Sequence, residues 1–130
     1  MNKLKSSELK AIISGYLDAI DWTECGPDSE FTECAQFSDD VKERAEEVCT
    51  AFYNLLKPCL SRAMVNAPEY TWQGVGHDIW LTRNGHGVGF FDRKLGSFGG
   101  YNIGNCLSEA CKMLGEAYLY EGDDGLLYLA

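Results

Sequence analysis

The chain has 130 residues, 45% of them apolar and 24% charged, which suits one folded domain with its own core and excludes a disordered chain. No apolar run nears the roughly 20 residues of a membrane helix, and the opening Met-Asn-Lys-Leu-Lys leads into no signal-peptide core, so the expected location is the cytoplasm. The formal net charge is −9, and all of it lies between residues 18 and 47: eleven acids there meet only Lys42 and Arg44, while nine acids and nine bases elsewhere cancel.

In chain order, the first predicted element is a helix from about Glu8 to Ile20. Ser6 or Ser7 can cap it, and Leu9, Ile12, Ile13, Tyr16, Leu17 and Ile20 keep one face apolar at helical spacing. Residues 21–37 break that period and contain Gly26-Pro27, a turn signal, with Trp22, Phe31 and Phe37 available to pack the loop down. Ser38 then caps a second helix with Asp39 and Asp40 in its first turn, where the helix dipole favours acids. Its apolar stripe is Val41, Ala45, Val48, Cys49, Phe52, Leu55 and Leu56. Pro58 is expected to kink or end it, with a last helical piece to about Val65.

After Pro68 the period shifts from 3.6 to 2. Residues 77–83 and 86–92 read as two strands joined by Asn84-Gly85, the pair that favours a type I′ hairpin turn. This register sets Arg83 against His86, Leu81 against Val88, Ile79 against Phe90 and His77 against Asp92. The two histidines then stand about 20 Å apart at roughly 3.3 Å per residue. They share neither a metal nor a proton in that arrangement, and the stretch reads chiefly as a turn. A Gly-rich link (96–104) leads to a third helix with Ile103, Leu107, Ala110, Cys111 and Leu114 on its stripe and Gly115 past its end. A second hairpin follows, 118–120 with 126–129, around Glu-Gly-Asp-Asp-Gly.

The strings "GHDIWLTRNGHGVGFFDR" (76–93) and "YLYEGDDGLLYL" (118–129) resemble a motif of small proteins encoded by bacteriophages and prophages. The resemblance covers roughly the C-terminal half. It implies a phage setting and carries over no catalytic residue.

Other constellations read as structure. The cysteines at 25, 34, 49, 59, 106 and 111 form no Cys-x-x-Cys pair and are expected to be reduced, with Cys49 and Cys111 as small core residues. The Gly-rich link lacks the ending of a phosphate loop, and Glu-Gly-Asp-Asp-Gly lacks the alternating ligands of a calcium loop. No metal or cofactor is expected.

The expected fold is α+β in the order ααββαββ: two N-terminal helices and a third packed on one face of a small, mostly antiparallel four-stranded sheet. It forms one domain over 1–130, with an acidic helical half (1–66) and a ββαββ half (69–130). The expected function is non-enzymatic. The acids Asp21, Glu24, Asp28, Glu30, Glu33, Asp39, Asp40, Glu43, Glu46 and Glu47 form a row whose spacing, about 5 to 6 Å between helical neighbours, resembles that of phosphates. Such a row fits the basic groove of a host nucleic-acid-handling defence protein, of restriction or CRISPR type, and repels nucleic acid itself. A second reading is an enzyme or small-ligand protein centred on His77, Asp92, Arg83 and Arg93. A third is a self-associating accessory protein with Trp22, Trp72 and Trp80 in one exposed patch.

Overall fold

In the computed structural model, residues 6–25, 29, 31, 35–86 and 88–130 are described. Helix α1 spans Ser7–Glu24, with the Ser6 hydroxyl accepting from the Leu9 amide at 3.1 Å. Its buried positions include Leu9, Ile12, Tyr16 and Ile20, the stripe expected from the period. The helix runs four residues beyond Ile20, because its last turn is held by backbone bonds such as Cys25 N–H to Asp21 C=O while its side chains leave the core. Helix α2 spans Asp39–Asn66 and is capped by Ser38 as expected. It does not end at Pro58: Leu60 and Ala63 continue the buried stripe beyond it, and that packing outweighs one lost helical bond.

The hairpin expected at Asn84-Gly85 does not form. Residues 77–83, read as a strand, belong to helix α3, Trp72–Arg83, and the described part of 86–92 carries a 3₁₀ turn, Phe90–Asp92. Thr71 caps α3 by accepting from the Gly74 amide at 2.9 Å. The Asn-Gly pair is instead the helix end. Gly85 has φ +65°, its N–H reaches the Thr82 carbonyl at 3.3 Å, and His86 N–H reaches the Leu81 carbonyl at 3.0 Å. Those two bonds define a Schellman motif, which makes the same demand for positive φ as a hairpin turn.

Tertiary contact decides between the two. Gly76 of α3 lies so close to α1 that a Cβ there would stand 1.9 Å from the Ile12 carbonyl oxygen. Helices α1 and α3 therefore pack nearly backbone to backbone, the most extensive contact between elements. Trp80 fills the space beside them, edge-on to Tyr16 at 5.5 Å, with its indole N–H donating to Thr23 Oγ1 at 2.8 Å.

Within the Gly-rich link, β1 (Ser97–Phe98) and β2 (Tyr101–Asn102) form a small exposed hairpin. Asn102 then caps helix α4, Ile103–Leu114, which ends at Gly115 as expected. Strands β3 (Leu119–Glu121) and β4 (Leu127–Leu129) form the second expected hairpin, pairing Tyr120 with Tyr128. Residues 36–38 run beside β4 in parallel, through Ser38 N–H to Leu127 C=O and Leu127 N–H to Gln36 C=O.

The α+β class thus stands, but the four-stranded sheet and the ααββαββ order do not. Among the described residues there are four α-helices and two separate two-stranded hairpins. One buried cluster, running from Leu9 to Leu129, joins all four helices to β3 and β4. No helix is long and apolar enough to cross a membrane among the described residues.

Candidate functional site

The stretch 76–93 is first of all a scaffold. Asp78 is fully buried on α3. Its two oxygens accept from Arg93 Nε and Nη2 at 3.0 and 3.1 Å and from the Tyr70 hydroxyl at 2.5 Å. Burial, reinforced by the Asp78 carboxylate, pushes the Tyr70 hydroxyl above its ordinary range, and the hydrogen bond to Asp78 raises Arg93 further. This triad clamps the chain after the 3₁₀ turn onto α3.

Thr82 Oγ1 accepts from the Phe90 amide at 3.2 Å, and Asp92 Oδ2 accepts from the Gly89 amide at 3.1 Å. Arg83 does not join the histidine region. It reaches the C-terminal end of α4, donating to the Leu114 and Gly115 carbonyls at 3.1 and 2.8 Å and to the Tyr16 hydroxyl at 3.0 Å, a place where the helix dipole favours a cation. Asn84 Oδ1 accepts from the Ala117 amide at 2.8 Å. Asp78 escaped the sequence reading because an acid in a presumed strand looks solvent-facing; only its place in the 76–93 string beside Arg93 marked it.

His77 and Asp92 share one cleft, though not across a hairpin. Both line an open cleft of about 500 Å³ with Trp22, Leu81, Val88 and Arg93. Helix α3 supplies His77 and Leu81, α1 supplies Trp22, and the returning chain supplies the rest. His86 lies elsewhere along α1, with Nε2 3.9 Å from Glu24 Oε2. The three tryptophans form no common patch: Trp22 is 70% exposed, Trp80 is buried, and Trp72 packs partly buried against Tyr53. The self-association expected from such a patch loses its basis.

Of the acidic row, Asp28, Glu30 and Glu33 lie outside the described residues. Asp21 is exposed and Glu24 partly so, both in the last turn of α1. Along the first turns of α2, Asp39, Glu43, Glu46 and Glu47 are exposed. Glu43, Glu46 and Glu47 border an open groove of about 470 Å³ with Thr50 and Ala51. Asp40 is partly buried and pairs with Arg44 at 3.0 Å.

The fold adds acids that were not part of the row. Helix α2 packs on β4, and the β3–β4 turn carries exposed Asp123 and Asp124. The Tyr128 hydroxyl donates to Asp124, which holds that carboxyl below its usual range. The hydroxyl is itself raised, first by this bond, then by desolvation, with smaller contributions from the charges of Asp124, Tyr120 and Asp40. Tyr128 is thus held by Asp124 and feels the charge of one acid of α2, Asp40.

Among the described residues no group of three or more His, Cys, Asp or Glu side chains could hold a metal ion. Cys25, Cys49, Cys59, Cys106 and Cys111 are free, and burial pushes the Cys49 and Cys111 thiols up to about 12. No family model, curated protein or solved structure matches this chain.

Proposed function

We propose that this protein is a non-enzymatic, phage-type inhibitor that binds a host nucleic-acid-handling defence protein, of restriction or CRISPR type. Its acidic face occupies a basic groove meant for phosphates, in the host cytoplasm, and it does not itself bind nucleic acid. The observation that carries the reading is the exposed acidic surface of α2, where Asp39, Glu43, Glu46 and Glu47 face solvent and three of them border one open groove. Like charges gathered on one surface cost stability, so a partner that neutralises them gives the arrangement a purpose. The resemblance of residues 76–93 and 118–129 to phage proteins supports the setting.

The test is capture of partners by the tagged protein from host lysate, with duplex DNA as competitor and at rising salt. A nucleic-acid-binding partner should be retained, displaced by DNA and weakened by salt. It should be lost when Glu43 and Glu47 are both changed to lysine, with the fold intact. Retention of the same partner by that double variant would refute the reading.

A second reading keeps one observation in its favour, the convergence of His77, Asp92 and Arg93 on one cleft. It makes the protein a small-ligand binder or enzyme. It predicts that His77→Ala abolishes ligand binding or turnover while thermal stability stays unchanged.

A further inference from the structure

The cleft beside α1 has an electrostatic character that its residue types alone do not reveal. Trp22 presents most of its surface to solvent at the edge of the cleft, an arrangement that wastes apolar area in a free monomer. Asp92 spends only Oδ2 on the Gly89 amide; among the described residues its Oδ1 has no hydrogen bond. Arg93 lines the cleft, but its charge is already matched by the buried carboxylate of Asp78 through two bonds.

The end of α1 adds to this. Its last turn holds no basic residue; Asp21 is exposed there and Glu24 faces His86 at 3.9 Å. Acids there oppose the helix dipole, whose C-terminal end is itself negative. With Arg93 matched by Asp78, the charge left on the lining of the cleft is that of Asp92. A carboxylate oxygen without a hydrogen bond and an open indole in one cleft suit a cation.

We propose that this cleft receives an arginine side chain of the protein partner, its guanidinium stacked on the Trp22 indole and donating to Asp92. The planar guanidinium matches both elements at once, an aromatic face and a carboxylate oxygen, whereas an ammonium offers no flat surface to stack. This rests on the partner-binding reading above. It gives that reading a specific anchor in place of diffuse charge, and it assigns the cleft to a protein side chain in place of a small ligand. Trp and Arg are, with Tyr, the residue types enriched where interface energy concentrates.

The experiment titrates the full chain at low salt with three capped tetrapeptides, made of arginine, lysine or the uncharged isostere citrulline. Tryptophan fluorescence and the indole N–H resonances are followed. The arginine peptide should bind tightest and shift the Trp22 resonance while the buried Trp80 stays unmoved. Trp22→Leu should weaken the arginine peptide about two- to fivefold and leave the lysine peptide unchanged. Asp92→Asn, which keeps an oxygen for the Gly89 amide, should act in the same direction. Changing Glu43 and Glu47 to lysine should weaken the arginine and lysine peptides alike.

Equal binding of arginine and lysine peptides, untouched by Trp22→Leu but lost on reversal of Glu43 and Glu47, overturns the cleft while leaving the acidic face standing. Citrulline binding as well as arginine overturns it by removing the charge. Failure of both cationic peptides to bind overturns the cleft and the acidic face together.

Discussion

Changing Arg93 to methionine should destabilise the protein far more than its partly exposed position suggests. The side chain of Arg93 is 45% accessible, yet its partner Asp78 is fully buried and takes three of its hydrogen bonds from only two residues, Arg93 and Tyr70. Methionine keeps the apolar stem and removes both guanidinium donors, so a buried carboxylate is left with the Tyr70 hydroxyl alone. Removing one partner of a buried pair costs roughly 3–5 kcal/mol. Because water can enter where the half-exposed guanidinium stood, the lower end applies, about 3 kcal/mol. At about 4 °C per kcal/mol for a chain of this size, the midpoint of thermal unfolding should fall by about 12 °C.

Asp78→Asn should cost about 2 kcal/mol, since the amide keeps the shape but loses the charge-assisted bonds. The double variant should cost less than the sum, with a coupling of about 2 kcal/mol, because the neutral amide no longer demands a cation. Urea unfolding of the four proteins at unchanged m-value measures this directly. Additive costs, or a loss below about 1 kcal/mol for Arg93→Met, would refute the claim that this pair organises the 76–93 stretch.

Two further predictions concern helix packing and alkaline pH. Gly76→Ala places a Cβ 1.9 Å from the Ile12 carbonyl and 2.5 Å from the Tyr16 amide nitrogen, so α1 and α3 must separate; the loss should reach about 3 kcal/mol. Gly85→Ala meets no atom within 4 Å and should cost only about 1 kcal/mol, from its positive φ. Circular dichroism melts that rank the two variants in the opposite order would sink the helix-packing account of this stretch.

Stability should also fall as pH rises through the range above 9 to 10. Burial raises Cys49 and Cys111 from 9.0 to about 12 and Tyr16 from 10.0 to about 12, and lifts Tyr70 as well. Above the ordinary values the unfolded chain releases protons that the folded chain keeps, so stability present below pH 9 is lost progressively toward 12. Tyrosinate absorbance of Tyr16 and Tyr70 should then appear together with unfolding; a gradual rise in the folded state would contradict their burial.

Helices α1, α2 and α4 and the β3–β4 hairpin were legible in the sequence because their signals are local. Ser6, Ser38 and Asn102 satisfy backbone donors within three residues, and the apolar period repeats over several turns. The acids of α2 were legible for the same reason. Helix α3 was not, because Asn84-Gly85 serves a hairpin turn and a Schellman helix end equally well, and both need only a residue that accepts positive φ. The convergence of His77 with Asp92 was anticipated by the wrong route: a cross-strand register set them opposite, whereas a helix and the chain folding back over it bring them to one cleft.

What the sequence determined by itself was therefore the class of fold, most of its helices, one hairpin and the acidic character of α2. What only the tertiary structure decided was the choice of helix over strand at 72–83, the pairing of Asp78 with Arg93, and the cleft that gathers Trp22, His77 and Asp92. The division has one physical cause. Caps and periods are written within a few residues of one another, while a glycine against a neighbouring helix or a carboxylate matched by a distant arginine has no energy until the chain has folded back on itself.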